Sequence, residues 1–326
     1  MPATTVKTWH TPSLATFQND IQPLQQPAIL RGLVAHWPAV RLASQGPEAI
    51  CAYLMRLDNG NGVDAILLAP QEKGRVFYND EMTGFNFARK SMPISSVIEA
   101  LVRYSHFAQY PAIAVQSAKI HDCLPGFLRE HPHPLLGSDI APRIWIGNQI
   151  VTPAHFDESL NIACVVAGRR RFTLFPPEQV KNLYIGPLDF APTPTPISMA
   201  SLVEPDFTRY PRLREALDYA QVAELEPGDA LYIPTLWWHH VESLDFFNVL
   251  VNYWWQDKAE AMAGTEQTTE TAFQSLVHCV QHMQNLSPLE KRGWQAMFAH
   301  YLFNSECDPA AHIPPDKRGV LAKKRV

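Results

Sequence analysis

Residues 152–161 read Thr-Pro-Ala-His-Phe-Asp-Glu-Ser-Leu-Asn, and the triplet His155-Phe156-Asp157 inside them decides how the rest of the chain is read. Side chains two apart on an extended strand share a face, so an imidazole and a carboxylate point the same way here. Just upstream, Ile144-Trp145-Ile146-Gly147 is an apolar run of strand length, which places the triplet near the end of a buried strand. Far downstream, Glu226-Pro227-Gly228-Asp229 reads as a tight turn feeding the strand pattern Ala230-Leu231-Tyr232-Ile233-Pro234, which delivers Trp237-Trp238-His239-His240. Residues 248–255 repeat the strand pattern with polar Asn252 inside an apolar, aromatic stretch, and a buried Asn needs a hydrogen-bonding partner.

A His-x-Asp triplet alone says little in a chain with 13 His and 32 acidic residues, where a strand-end His beside a turn Asp arises by chance. A distant imidazole changes that. Two imidazoles and a carboxylate on one side of an ion leave coordination positions free, the arrangement of non-haem Fe(II) oxygenases. His239 and His240 are both candidates, but adjacent strand residues face opposite ways, so only one can join His155 and Asp157.

Composition bounds the alternatives. With 326 residues, 46% of them apolar, the chain can bury a full core, and its length fits one large domain with an appendage. A formal charge of -5 and a pI near 6.2 give no general attraction to phosphate backbones, which disfavours a nucleic-acid partner. Cys51, Cys123, Cys164, Cys279 and Cys307 are widely spaced and form no Cys-x-x-Cys pair, which fits buried thiols in a reducing compartment better than a disulfide frame. No segment offers the ~18 uncharged apolar residues of a membrane span, so a cytoplasmic protein without membrane contact is expected.

Three segments are expected along the chain. Residues 1–140 mix α and β, with a strand at 29–34 and helical spacing over 47–57 and 94–104; residues 141–256 are strand-rich and hold the whole constellation. From 257 to 326 the period becomes helical, through Phe273, Leu276, Val277, Val280 and Met283, then Trp294, Met297, Phe298 and Tyr301 after the Ser287-Pro288 start signal. Their apolar faces suit either capping the barrel or a dimer interface. The Pro-rich insertion at 187–213 has no periodicity, and long loops between strands are natural places for substrate contacts.

Four pieces in order, TPAHFDESLN at 152–161, LFPPEQ at 174–179, PGDALYIPTLWWHHVES at 227–243 and VNYWW at 251–255, carry a family resemblance. On them the chain resembles the cupin-like Jumonji-C oxygenases, most closely the branch containing the asparaginyl hydroxylase of hypoxia-inducible factor. QPAILRGLVAHWPA and FYNDEMTGFNF extend the resemblance to most of the first 255 residues. It implies a mainly β fold with α, a double-stranded β-helix (jelly-roll, cupin-like) barrel with flanking helices and a C-terminal helical extension, the last favouring a homodimer. The implied activity is an Fe(II)- and 2-oxoglutarate-dependent dioxygenase using molecular oxygen to hydroxylate a protein side chain. A small-molecule oxygenase of the same fold and a non-catalytic metal-binding module are the alternatives; histone demethylation is a weaker variant, since no basic chromatin-binding segment accompanies the barrel.

The resemblance also implies residue roles. His155, Asp157 and His239 are the iron ligands, which leaves His240 facing outward or supporting them. The remote carboxylate of 2-oxoglutarate needs a cation and a hydroxyl: Thr152 carries the hydroxyl, and Arg170, within Gly168-Arg169-Arg170-Arg171, stands where the family has Lys. Arg can hold a carboxylate through two parallel hydrogen bonds, although its longer planar head changes the depth of the pocket. Asn161 and Asn252 match positions that hydrogen-bond the co-substrate. A Tyr of the hydroxylase branch has no counterpart, Gln116 being the nearest replacement, and Trp238 and Trp254 are expected to pack the pocket.

Overall fold

The computed structural model describes residues 4–256, 271–303 and 308–321; Cys307 and the end of the basic tail fall outside them. Its strands in chain order are β1 (Thr4–Thr5), β2 (Lys7–His10), β3 (Ala28–Arg31), β4 (Val63–Leu68), β5 (Phe87–Met92), β6 (Ala112–Lys119) and β7 (Arg143–Gly147). They continue with β8 (Val151–His155), β9 (Leu160–Ala167), β10 (Arg170–Phe175), β11 (Gln221–Leu225), β12 (Ala230–Ile233), β13 (Trp238–Ser243) and β14 (Asn248–Trp255). A nine-stranded sheet runs β2-β3-β12-β9-β14-β7-β6-β4-β5, and a five-stranded sheet runs β1-β11-β10-β13-β8. From β7 onward the chain changes sheet at every connection except β10 to β11. That winding is the jelly roll expected from the motifs.

Burial explains why the central strands read as continuous apolar runs. All eight residues of β9 are buried, because both of its faces are covered. Ile162, Cys164 and Val166 join one core with Ile50, Leu54, Val97 and Leu101 of the helices Pro47–Leu57 and Ile94–Tyr104, whereas Ala163 and Val165 face the second sheet beside Phe172, Leu174 and Leu231. β14 divides in the same way, with Val249 and Val251 under the helices and Leu250 between the sheets. Each fully buried aliphatic side chain contributes roughly 1.5–3 kcal/mol relative to exposure. The frame around the inner faces is therefore stiff.

Two details differ from the sequence reading. The strand expected at 29–34 stops at Arg31, since Gly32 takes a φ of 67° and turns the chain while Leu33 and Val34 stay buried. The run through His155 is two strands: β7 lies in the larger sheet and β8 at the edge of the smaller. The Pro-rich insertion closes that edge, with Ser198 N donating to Ala154 O (2.7 Å) and Thr195 Oγ1 to Phe156 O (2.6 Å).

Contacts divide the chain into two compact units, Met1–Trp255 and Gln256–Val326. In the second, the helices Ala272–Met283 and Pro288–Tyr301 each begin with a capping box, Thr271 with Gln274 and Ser287 with Glu290. Leu276, Val280, Trp294 and Met297 on them are exposed. No helix among the described residues is long and apolar enough to cross a membrane.

Candidate metal centre and cavity

Antiparallel pairing of β13 with β8 sets His239 directly opposite His155. Their ring centroids lie 4.3 Å apart, and one ligand atom each from His155, Asp157 and His239 falls within 4.8 Å of the others. Nδ1 of each ring lies 2.9 Å from the backbone carbonyl two residues earlier, Pro153 O for His155 and Trp237 O for His239. A carbonyl only accepts, so Nδ1 donates and the Nε2 lone pair is left free for an ion. Burial, with the His239 ring alongside, holds the His155 pKa well below the ordinary imidazole range, which keeps the ring neutral.

The cluster opens into a cavity of about 270 Å³ between the two sheets. Thr152, Asn161, Arg170, Asn252, Gln116 and Trp254 all line it, so six of the positions marked in the sequence beyond the ligands converge there. Arg170 is 9% exposed, its Nε has no hydrogen-bond partner, and burial pushes its guanidinium down to about 10. Still cationic at neutral pH, it gives the cavity a positive wall. Gln116 reaches the cavity because β6 bulges between Val115 and Ala118, with Ser117 at a φ of 49°.

Two expectations need correction. Trp238 is not a lining residue: as the neighbour of His239 it points to the opposite face and packs edge-on against Phe156, with centroids 5.0 Å apart. His240 does not face outward; it is 3% exposed, and burial pushes its pKa down to about 4. Asn161 and Asn252 keep their places on the cavity wall, where Asn161 Nδ2 donates to Asp157 Oδ2 (3.1 Å) and Asn252 Nδ2 to Asn161 Oδ1 (2.8 Å). Asn252 Oδ1 is buried without a partner.

Other lining residues carried weaker signals or none. Trp145 lies in the continuous apolar run Ile144-Trp145-Ile146, which does not say which side chain enters the cavity; the structure places Trp145 on its wall, with Nε1 buried without a partner. Pro192, Thr193 and Pro194 come from the insertion flagged for substrate contacts. Asp64 and Arg89, an ion pair at the same cavity, belong to β4 and β5 and lie in no recognisable motif.

Fold and cluster together define a jelly-roll protein with two imidazoles and a carboxylate converging in its barrel. The chain belongs to the cupin-like domain family, whose pattern matches residues 14–261. It is similar to Jumonji C domain-containing protein 5 of Drosophila melanogaster, 28% identical over 256 residues that cover 75% of this chain and 58% of that one. It is similar to human HSPB1-associated protein 1, 34% identical over 153 residues, 46% of this chain and 30% of the relative. Lysine-specific demethylase 8 of Xenopus tropicalis is 27% identical over 263 residues, 77% of this chain and 53% of the relative. The matched stretches thus span less than two thirds of these relatives.

Proposed function

We propose that this chain is an Fe(II)- and 2-oxoglutarate-dependent oxygenase that hydroxylates a protein side chain. One observation carries the reading: a single cavity holds both the His155, Asp157 and His239 cluster and, on its wall, a buried guanidinium whose Nε has no partner. The donor set suits Fe(II), and the orphaned donor suits a small dicarboxylate. When bound, iron and 2-oxoglutarate would allow molecular oxygen to be used as the oxidant, one oxygen atom going to the co-substrate as it becomes succinate and carbon dioxide and the other entering a substrate C–H bond.

The chain's own residues bind and orient. His155 and His239 offer Nε2, and Asp157 offers its carboxylate. Arg170 grips the remote carboxylate of the co-substrate, with the Thr152 hydroxyl beside the same space. Trp145, Phe172, Val241 and Leu250 wall the cavity and exclude water, which strengthens each of these polar contacts. A cavity of about 270 Å³ suits the co-substrate together with a small group at its mouth, such as one projecting side chain. The resemblance of the motifs at 152–161 and 227–243 to the asparaginyl-hydroxylase branch favours a stable alcohol as product, and the demethylase name of a relative makes lysine demethylation the competing outcome. The buried, unpaired thiols of Cys51, Cys123 and Cys164 support a reducing, cytoplasmic setting.

The test is succinate formation from 2-oxoglutarate under Fe(II) and oxygen. His155→Ala and Asp157→Ala are expected to lower it below detection. Undiminished turnover in either variant would remove the basis of the assignment.

A further inference from the structure

Asp157 lies two residues beyond the end of β8, outside any strand, so no ladder holds its side chain. Its backbone carbonyl accepts from Leu236 N (3.0 Å), yet its carboxylate would be free to turn but for two donors. Trp254 Nε1 lies 3.0 Å and Asn161 Nδ2 3.1 Å from the same oxygen, Oδ2. They meet there because β14 and β9 pair with Trp254 directly opposite Asn161, both side chains lining the cavity. Asn252, two residues before Trp254 and on the same face, holds Asn161 in turn. Trp255 faces the other way, toward Phe17 and Tyr232.

The consequence shows in one distance. His239 Nε2 lies 3.7 Å from Asp157 Oδ2, too far for a hydrogen bond between groups that would otherwise close on each other. We propose that Trp254 and Asn161 are positioning residues that hold the Asp157 carboxylate away from His239, keeping open the gap in which the metal binds. The proposal rests on the reading of Asp157 as a metal ligand. It gives the indole N–H a role beyond packing, and it assigns Asn161 to the carboxylate before the co-substrate.

The experiment is titration of the metal-free full chain with Mn(II), read by electron paramagnetic resonance, and with Co(II), read by its visible absorption. Trp254→Phe keeps a ring against Trp145 and removes only the N–H; Asn161→Ser is the second variant, and thermal melting checks that each folds. Each is expected to weaken Mn(II) binding about 10-fold and to change the shape of the Co(II) bands, which a merely structural change would leave alone. Folded variants that bind Mn(II) within twofold of wild type, with unchanged Co(II) spectra, would overturn the proposal. Asp157→Ala separates the two layers. If it binds Mn(II) like wild type, the ligand assignment itself fails; if it loses the metal while Trp254→Phe and Asn161→Ser do not, only the positioning role fails.

Discussion

Arg170 is a buried cation whose Nε has no partner within the protein. Burial alone lowers its pKa from 12.5 to about 10, a penalty on the order of 3 kcal/mol by the usual conversion. The folded pKa lies below the unfolded one, so the penalty is full at every pH below about 10 and fades only between there and 12.5. Replacing the guanidinium by an apolar chain of similar length should therefore stabilise the ligand-free protein while removing function. Arg170→Met is expected to raise Tm by several degrees in calorimetry and to lack the further rise expected of the wild type on addition of 2-oxoglutarate. A lower Tm for this variant would mean that Arg170 has a structural partner. Arg170→Lys keeps the charge and loses the paired geometry, so its KM for 2-oxoglutarate should increase about tenfold, the loss of one charge-assisted hydrogen bond.

At the scale of elements, the corner between β9 and β10 decides where Arg170 points. Gly168 takes a φ of 69°, and a Cβ there would lie 2.5 Å from Phe247 O and 2.4 Å from Asn248 Oδ1. Gly168→Ala is expected to cost about 2 kcal/mol or more, combining backbone strain with a clash against main chain. Gly60, with a φ of 82° and nothing within 4 Å, is the control, and Gly60→Ala should cost only about 1 kcal/mol. Urea midpoints measure both. The exposed apolar residues of the helices Ala272–Met283 and Pro288–Tyr301 support the homodimer expected from the resemblance. Sedimentation equilibrium of the full chain should give a dimer, and Leu276→Asp with Met297→Asp a monomer; a monomeric wild type would discard this interface.

For the whole molecule, burial of histidines sets the acid limit. Burial pushes His133 down to about 3 and His240 to about 4, and lowers His131 and His155 as well. Folded pKa values below the unfolded value of 6.5 mean that the unfolded chain takes up protons first, so stability is full above about pH 7 and is lost as pH falls from 6.5 toward 4. Urea unfolding at pH 7.5, 6 and 5 should show midpoints declining in that order; a flat profile would mean that these rings are hydrated. Much of this molecule was legible in one dimension. The apolar runs of β12 and β14, the turn at 226–229 and the helical spacing of 47–57 and 94–104 each encode local backbone geometry, and the residue types at 155, 157 and 239 are those that suit a transition-metal ion. Asp64 and Arg89 were not legible, because their place at the cavity follows from β4 and β5 lying beyond β6 in the sheet rather than from any property of their own segments. Nor was the indole of Trp254, which meets a carboxylate 97 residues away. Residue chemistry and local pattern by themselves determined the barrel strands and offered His155, Asp157 and one of His239 and His240 as candidate metal donors, the resemblance choosing His239. Only the tertiary structure decided that Trp238 packs on Phe156 and His240 is buried, that Arg170 Nε is left without a partner and that Asp157 is held by two donors, because these depend on the register between strands distant along the chain.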